Sequence, residues 1–182
     1  MDAVPCNVML DLETWGTTPG CALRSIGAVM FDPHSDEIGA NFYANIADQS
    51  CEQAGLVRDA STVDWWSKQS TKAQEMLLDG QLTLTEVAVR FDEWWRKNRA
   101  IFVWSQGSNF DGVLWEAAMR AIGRGVPWKF YDARDTRTAY DLASFDSRTI
   151  RRQGTYHNAL DDARHQAVCV QRAYAKVEGR RA

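Results

Sequence analysis

The chain predicts an α/β layered domain built on a mixed sheet, and three observations carry that expectation. Three short apolar runs come first, the second and third joined by turn-forming residues; helical periodicities take over from about residue 62; and another strand-like run then lies between two of those helices. Successive strands with short connections form an antiparallel meander, and strands that alternate with helices form a sheet covered by helices.

Residues 8–12 read as a buried strand, apolar except at Asp11. Residues 25–31 and 38–46 read as two more strands, with Asp32-Pro33-His34-Ser35 as the turn between them. Thr62 reads as the cap of a helix over 63–69, and a second short helix is expected over 72–78. Thr83-Leu84-Thr85-Glu86 has the spacing of a capping box, which opens a helix to about residue 98 with Val87, Phe91, Trp94 and Trp95 on one face. A short strand over 101–104 and a helix over 110–122 follow. After the segment 128–131 come a helix over 135–143 and a long helix from about 160 to 177, and residues 179–182 read as a frayed end.

A length of 182 residues fits one domain, 1–182, large enough to bury a core without disulfides or a structural metal. Cys6, Cys21, Cys51 and Cys169 have no CxxC spacing and read as reduced, mostly buried thiols rather than zinc ligands. No apolar run has the length of a membrane span, and Met1-Asp2-Ala3-Val4-Pro5 lacks the form of a signal peptide. The expectation is a soluble protein of the cytoplasm. Twenty-four acidic against 21 basic residues give a net charge of −3, which lacks the global basic signature of many nucleic-acid binders. Acids that hold cations contribute to that count, so the partner must be read from the site.

The chemistry-bearing residues lie in three places. Asp11 and Glu13 are two apart in a strand, which puts both carboxylates on one face. An acid within Met9-Leu10-Asp11-Leu12 is costly to bury unless a cation or hydrogen bonds compensate it. Asp111 follows Asn109-Phe110, and His157 and Asp162 lie in His157-Asn158-Ala159-Leu160-Asp161-Asp162. Taken singly, each has a plain alternative: a strand end, a helix start, and acids that complement a helix dipole. Taken together, the carboxylates suit hard divalent cations such as Mg²⁺ or Mn²⁺.

With these residues in view, the chain resembles the DEDDh 3′-to-5′ exonucleases of the ribonuclease H-like fold, from Asp11-Leu12-Glu13-Thr14 through Asn109-Phe110-Asp111 to His157–Asp162. The stretch Ser61-Thr62-Val63-Asp64-Trp65-Trp66-Ser67-Lys68-Gln69, with the His157 motif, resembles the exonuclease VIII-like or ribonuclease AS-like proteins of phages and bacteria. The resemblance implies a ribonuclease H-like mixed sheet with an antiparallel three-strand meander flanked by helices, and a single exonuclease domain in the cytoplasm of a bacterium or a phage-infected cell. It implies Asp11, Glu13, Asp111 and Asp162 as metal ligands for two Mg²⁺ or Mn²⁺ ions, with Asp11 bridging them, and His157 as general base. Family spacing selects Asp162 and leaves Asp161 at the helix start. Trp15 departs from the family pattern, where a smaller residue is usual.

Substrate contacts are expected from residues beside the motifs. Trp15, Phe110 and Tyr156 offer faces for a single-stranded terminal base, and Arg151 and Arg152, with Arg148 nearby, offer charge to the phosphate backbone. Their alternatives are core packing for the tryptophan and a solvated loop for the arginines. The expected partners are single-stranded RNA or DNA 3′ ends, with no membrane, and a homodimer for which Trp65-Trp66 offers an apolar surface. Two competing readings remain: a ribonuclease H-type endonuclease on the same fold, and a non-catalytic nucleic-acid-binding domain.

Overall fold

In the computed structural model, which describes residues 6–179, β1 (Asn7–Thr14) is the central strand of a five-stranded sheet. β2 (Leu23–Phe31) pairs antiparallel with β1, and β3 (Ile38–Asn45) pairs antiparallel with β2, so the expected meander forms. Three helical pieces follow, α1 (Asp48–Gln53), α2 (Ala60–Ser67) and α3 (Thr71–Met76), before the longer α4 (Leu84–Lys97). β4 (Phe102–Ser105) then runs parallel to β1 on its other side. α5 (Asp111–Ala121) leads to β5 (Ala133–Asp135), parallel to β4, and α6 (Thr136–Leu142) and α7 (Ala159–Val177) complete the domain. The sheet order is β3-β2-β1-β4-β5.

The two-residue period of β1 divides the core. Val8, Leu10 and Leu12 join a cluster with Val87, Phe91 and Trp95 of α4 and Leu114 and Trp115 of α5. Met9 belongs to the opposite cluster, with Ala163, Ala167 and Val170 of α7. Asp11 and Glu13 continue the Met9 side, so they emerge where the α7 layer ends. Helices on both faces explain why every residue of β2 is buried. The alanines of α7 let the helix approach closely, and Gly27 completes the fit: a Cβ there would lie 2.1 Å from the Ala159 carbonyl carbon. Gly27 is the β2 partner of Asp11, so the first turn of α7 crosses the sheet beside that acid.

The capping box is present: Thr83 Oγ1 accepts from the Glu86 N–H at 3.2 Å, and Glu86 Oε2 accepts from the Thr83 N–H at 2.9 Å. Elsewhere local signals misplaced boundaries. Thr62 lies inside α2, which starts after Asp59, and α3 is capped by Ser70, whose Oγ accepts from the Ala73 N–H. α1 and β5 are additions to the sequence reading. α1 has no side-chain cap, and β5 is a three-residue exposed edge without apolar alternation, defined by its pairing to β4. Of the expected frayed end, only Gly179 falls within the described residues; Met1–Pro5 fall outside them. Among the described residues no helix is long and apolar enough to cross a membrane.

Candidate active site

All five residues of the expected constellation meet in one cleft of about 930 Å³, between the end of β1, the start of α5 and the first turns of α7. Each arrives by a different local device. Asp11 and Glu13 share the β1 face. Asp111 opens α5 and reaches back to the strand: its Oδ1 accepts the Leu12 N–H at 3.1 Å, beyond the last β1–β4 pair, Met9 with Trp104. Only 2% of Asp111 is exposed, so it is held by this bond rather than by water. Asp162 lies in the first turn of α7, which Asn158 caps by accepting the Asp161 N–H on Oδ1 at 3.0 Å.

Asp161 faces the other way. Its Oδ2 accepts the Thr155 N–H at 2.8 Å and pins the loop that carries His157. The structure thus separates the neighbouring aspartates geometrically, with Asp162 lining the cleft and Asp161 holding the backbone. Glu13, His157 and Asp162 offer oxygen and nitrogen atoms that all lie within 4.8 Å of one another, a spacing that suits a shared cation.

His157 has a left-handed backbone, φ 61°, unusual for a residue with a Cβ and a conformation the surrounding structure must hold in place. Trp65 and Trp66 do so, with ring centroids 4.8 and 5.9 Å from the imidazole in edge-to-face contact. Trp66 is fixed in turn by its Nε1–H, which donates to the Thr14 carbonyl oxygen at 2.8 Å. Partial burial, and then the Arg152 charge, lower the His157 pKa and favour neutral imidazole.

The carboxylates are electrostatically strained as a group. Burial pushes Asp11 well above the usual carboxylate range, Asp111 and Glu13 add to the effect, and the Gln166 amide donating to Asp11 Oδ1 at 2.7 Å opposes it. Burial and then Asp111 push Glu13 up to about 8. Burial likewise raises Asp111, against the N–H groups that donate to it. Oxygen donors that repel one another inside a cleft form a site whose charge a divalent cation would offset.

Four of the five residues expected to contact substrate line this cleft: Phe110, Tyr156, Arg151 and Arg152. Trp15 does not, and that expectation is corrected. It is 9% exposed, its Nε1–H donates to Asp48 Oδ1 at 2.7 Å, and the Arg24 guanidinium lies 4.0 Å from its ring centroid. Both ring and polar tip are already engaged, so it serves the core. Arg152 differs from Arg151 as well: its guanidinium pairs with Asp162 inside the cleft instead of standing on the rim. Trp66 is 2% exposed, which leaves Trp65, 43% exposed, as the accessible half of the pair expected to form a dimer surface.

Sequence reading missed Gln166, His165 and Arg137, which also line the cleft. Gln166 and His165 are four and three residues after Asp162, one turn farther along the same helix face, so helical spacing was the available signal. It also missed the pocket next to Glu13, about 360 Å³, bounded by Thr62, Trp65, Trp66 and Phe110. Its walls come from α2 and the start of α5, and only packing brings these together.

The sequence matches the model of a family described as the 3′-5′ exoribonuclease Rv2179c-like domain over residues 6–174. No curated protein matches the chain by sequence. Among solved structures, the nuclease domain of 3′hExo, a DEDDh family member bound to rAMP, superposes with a TM-score of 0.61 at 14% identity, covering 94% of this chain and 92% of that one. Product-bound exonuclease I gives a TM-score of 0.62 at 13% identity over 94% of this chain and 43% of that one. The zinc-bound E. coli ExoI–ssDNA complex gives 0.60 at 14% identity, covering 94% of this chain and 40% of that one. At such identities the structural likeness is one of fold, the mixed α/β architecture of the DEDDh exonucleases.

Proposed function

The chain belongs to the Rv2179c-like 3′-5′ exoribonuclease family, and from that premise we propose that this cleft removes nucleotides from the 3′ end of single-stranded nucleic acid, RNA above all, with two divalent ions of the Mg²⁺ or Mn²⁺ type. The observation that carries the proposal is the convergence of Asp11, Glu13, Asp111, His157 and Asp162 in one cleft. The donor set fits the ions: it is rich in carboxylate oxygen, buried, and destabilised by its own charge. Asp11, Glu13, Asp111 and Asp162 would hold them. Bound there, divalent ions supply an acidified water and relief of charge at the leaving oxygen.

The protein's own residues do the rest. His157, kept neutral by its surroundings, accepts the proton of the attacking water. Gln166 orients Asp11 through its amide, and Leu12 orients Asp111 through its N–H. The terminal base enters the pocket beside Glu13, with Phe110 and Trp65 as apolar walls, while exposed Arg137, Arg148 and Arg151 along the cleft meet the phosphates. Tyr156, 66% exposed on the same cleft, is the outer stacking face.

Product analysis tests this reading. A 5′-labelled single-stranded RNA with Mn²⁺ should shorten progressively and release mononucleotides, faster than the matched DNA. Internal fragments, or cutting of a circular strand, would reject exonuclease action in favour of an endonuclease. Binding without metal-dependent hydrolysis would leave a nucleic-acid-binding domain.

A further inference from the structure

Among the arginines of the cleft, Arg152 alone is drawn inside. Arg137, Arg148 and Arg151 are exposed, whereas only 14% of the Arg152 side chain reaches solvent, matching the 14% of Asp162, with which it pairs through Nη2 and Oδ1. The loop is built to deliver it. Asp161 accepts the Thr155 N–H at 2.8 Å, and Gly154, with φ 86°, passes so close that a Cβ there would lie 2.4 Å from Asp161 Cγ. The Tyr156 ring lies 4.3 Å beneath the guanidinium. Anchored on both sides, Arg152 reaches toward the acids, and its charge also acts on Asp11 and Glu13.

A guanidinium is always charged and weakly hydrated, so it suits a nearly dry carboxylate site better than an ammonium would. It also claims the same oxygen atoms that a divalent ion needs. A cation entering beside Asp162 must displace this arginine, and the affinity measured for the ion is reduced by the work of breaking the internal pair. We propose that Arg152 is an internal competitor for the metal site, one that stabilises the carboxylate cluster in the metal-free protein and sets the ion concentration at which the cleft fills. The inference rests on the reading of Asp162 and its neighbours as cation ligands.

Calorimetric titration of Mn²⁺ into the full chain, without nucleic acid, tests it. Arg152→Gln should bind Mn²⁺ roughly tenfold more tightly than the unaltered chain, as expected for loss of a closely paired charge. Its metal-free form should also melt at a lower temperature, with the difference shrinking in saturating Mn²⁺. Arg152→Met should shift affinity the same way and guards against an effect peculiar to glutamine. Arg120→Gln, which removes an equal charge from an exposed arginine outside the cleft, paired with Glu116, should leave the affinity within about twofold of the unaltered chain. Unchanged or weaker Mn²⁺ binding in both Arg152 variants overturns this inference alone. Failure of the unaltered chain to bind Mn²⁺ overturns the cation-site reading as well.

Discussion

Glu13→Gln should stabilise the metal-free protein while disabling its cation site. Glu13 is 7% exposed, and burial followed by Asp111 raises its pKa from 4.5 to about 8. At about 1.4 kcal/mol per tenfold change in ionisation, that is a ceiling of about 5 kcal/mol against folding above pH 8. A second route gives a smaller figure. Carboxylates two residues apart on a strand are separated by about 6.5 Å, and two unit charges at that distance repel by roughly 2.5 kcal/mol at an effective dielectric of 20. Protons shared within the cluster lower the first figure toward the second, so about 2–3 kcal/mol is expected. For a domain of this size that corresponds to a rise of roughly 5–10 °C in melting temperature.

The sign follows from the raised pKa. Folding then favours the protonated form, so the penalty is absent below about pH 4, grows as pH climbs through the interval between 4.5 and about 8, and levels off above it. Thermal unfolding in EDTA at pH 8.5 and again near pH 4 measures both ends. Glu13→Gln should melt higher at pH 8.5, match the unaltered protein near pH 4, and gain less from Mn²⁺. A variant that melts at or below the unaltered protein at pH 8.5 would refute the view that the cluster is strained by its own charge.

Three other outcomes are expected. His157→Ala should lower kcat by about 10²–10⁴ while Mn²⁺ affinity changes only a fewfold, and near-normal turnover would remove His157 as the base. Because burial lowers its pKa, the rising limb of the pH–rate profile should lie below pH 6.5. Trp65→Ala should raise KM for single-stranded RNA, by about 1–3 kcal/mol in binding, and lower kcat as His157 loses its neighbour, whereas Trp15→Ala should chiefly lower stability; reversed effects would restore Trp15 to the substrate surface. Gly27→Ala should destabilise the fold by several kcal/mol or displace the start of α7, visible as lost Mn²⁺ binding, because backbone lies where the methyl would go. A native-like melting curve with normal Mn²⁺ affinity in Gly27→Ala would contradict that packing.

Much of the fold was legible because its signals are local. The apolar runs of β1 and β2, and the Thr83–Glu86 capping box, act over a few residues, so their pattern is written in the chain. α1 and β5 were not legible: one lacks a capping side chain, and the other is a strand only because β4 lies beside it. Trp15 shows the limit from the other side. An aromatic next to a motif looks like a stacking face in sequence, and only the Asp48 and Arg24 partners, remote from it in the chain, reveal that it is part of the core.

For the candidate site the division is similar. The sequence by itself singled out the five residues that the structure gathers in one cleft, Asp11 and Glu13 by lying in an apolar strand, and Asp111, His157 and Asp162 by their company and the spacing of the family they resemble. It also placed the chain among the 3′-5′ exonucleases, the activity of the family whose model it matches. Tertiary structure alone decided their company: Gln166 on Asp11, Trp65 and Trp66 around His157, Asp161 turned to the loop, and Arg152 drawn in to Asp162. Spacing along a strand or helix fixes which face a side chain shares with its neighbours. Which remote group meets that face depends on how closely the layers pack, and here that closeness is set by the bare Cα of Gly27 beneath the first turn of α7.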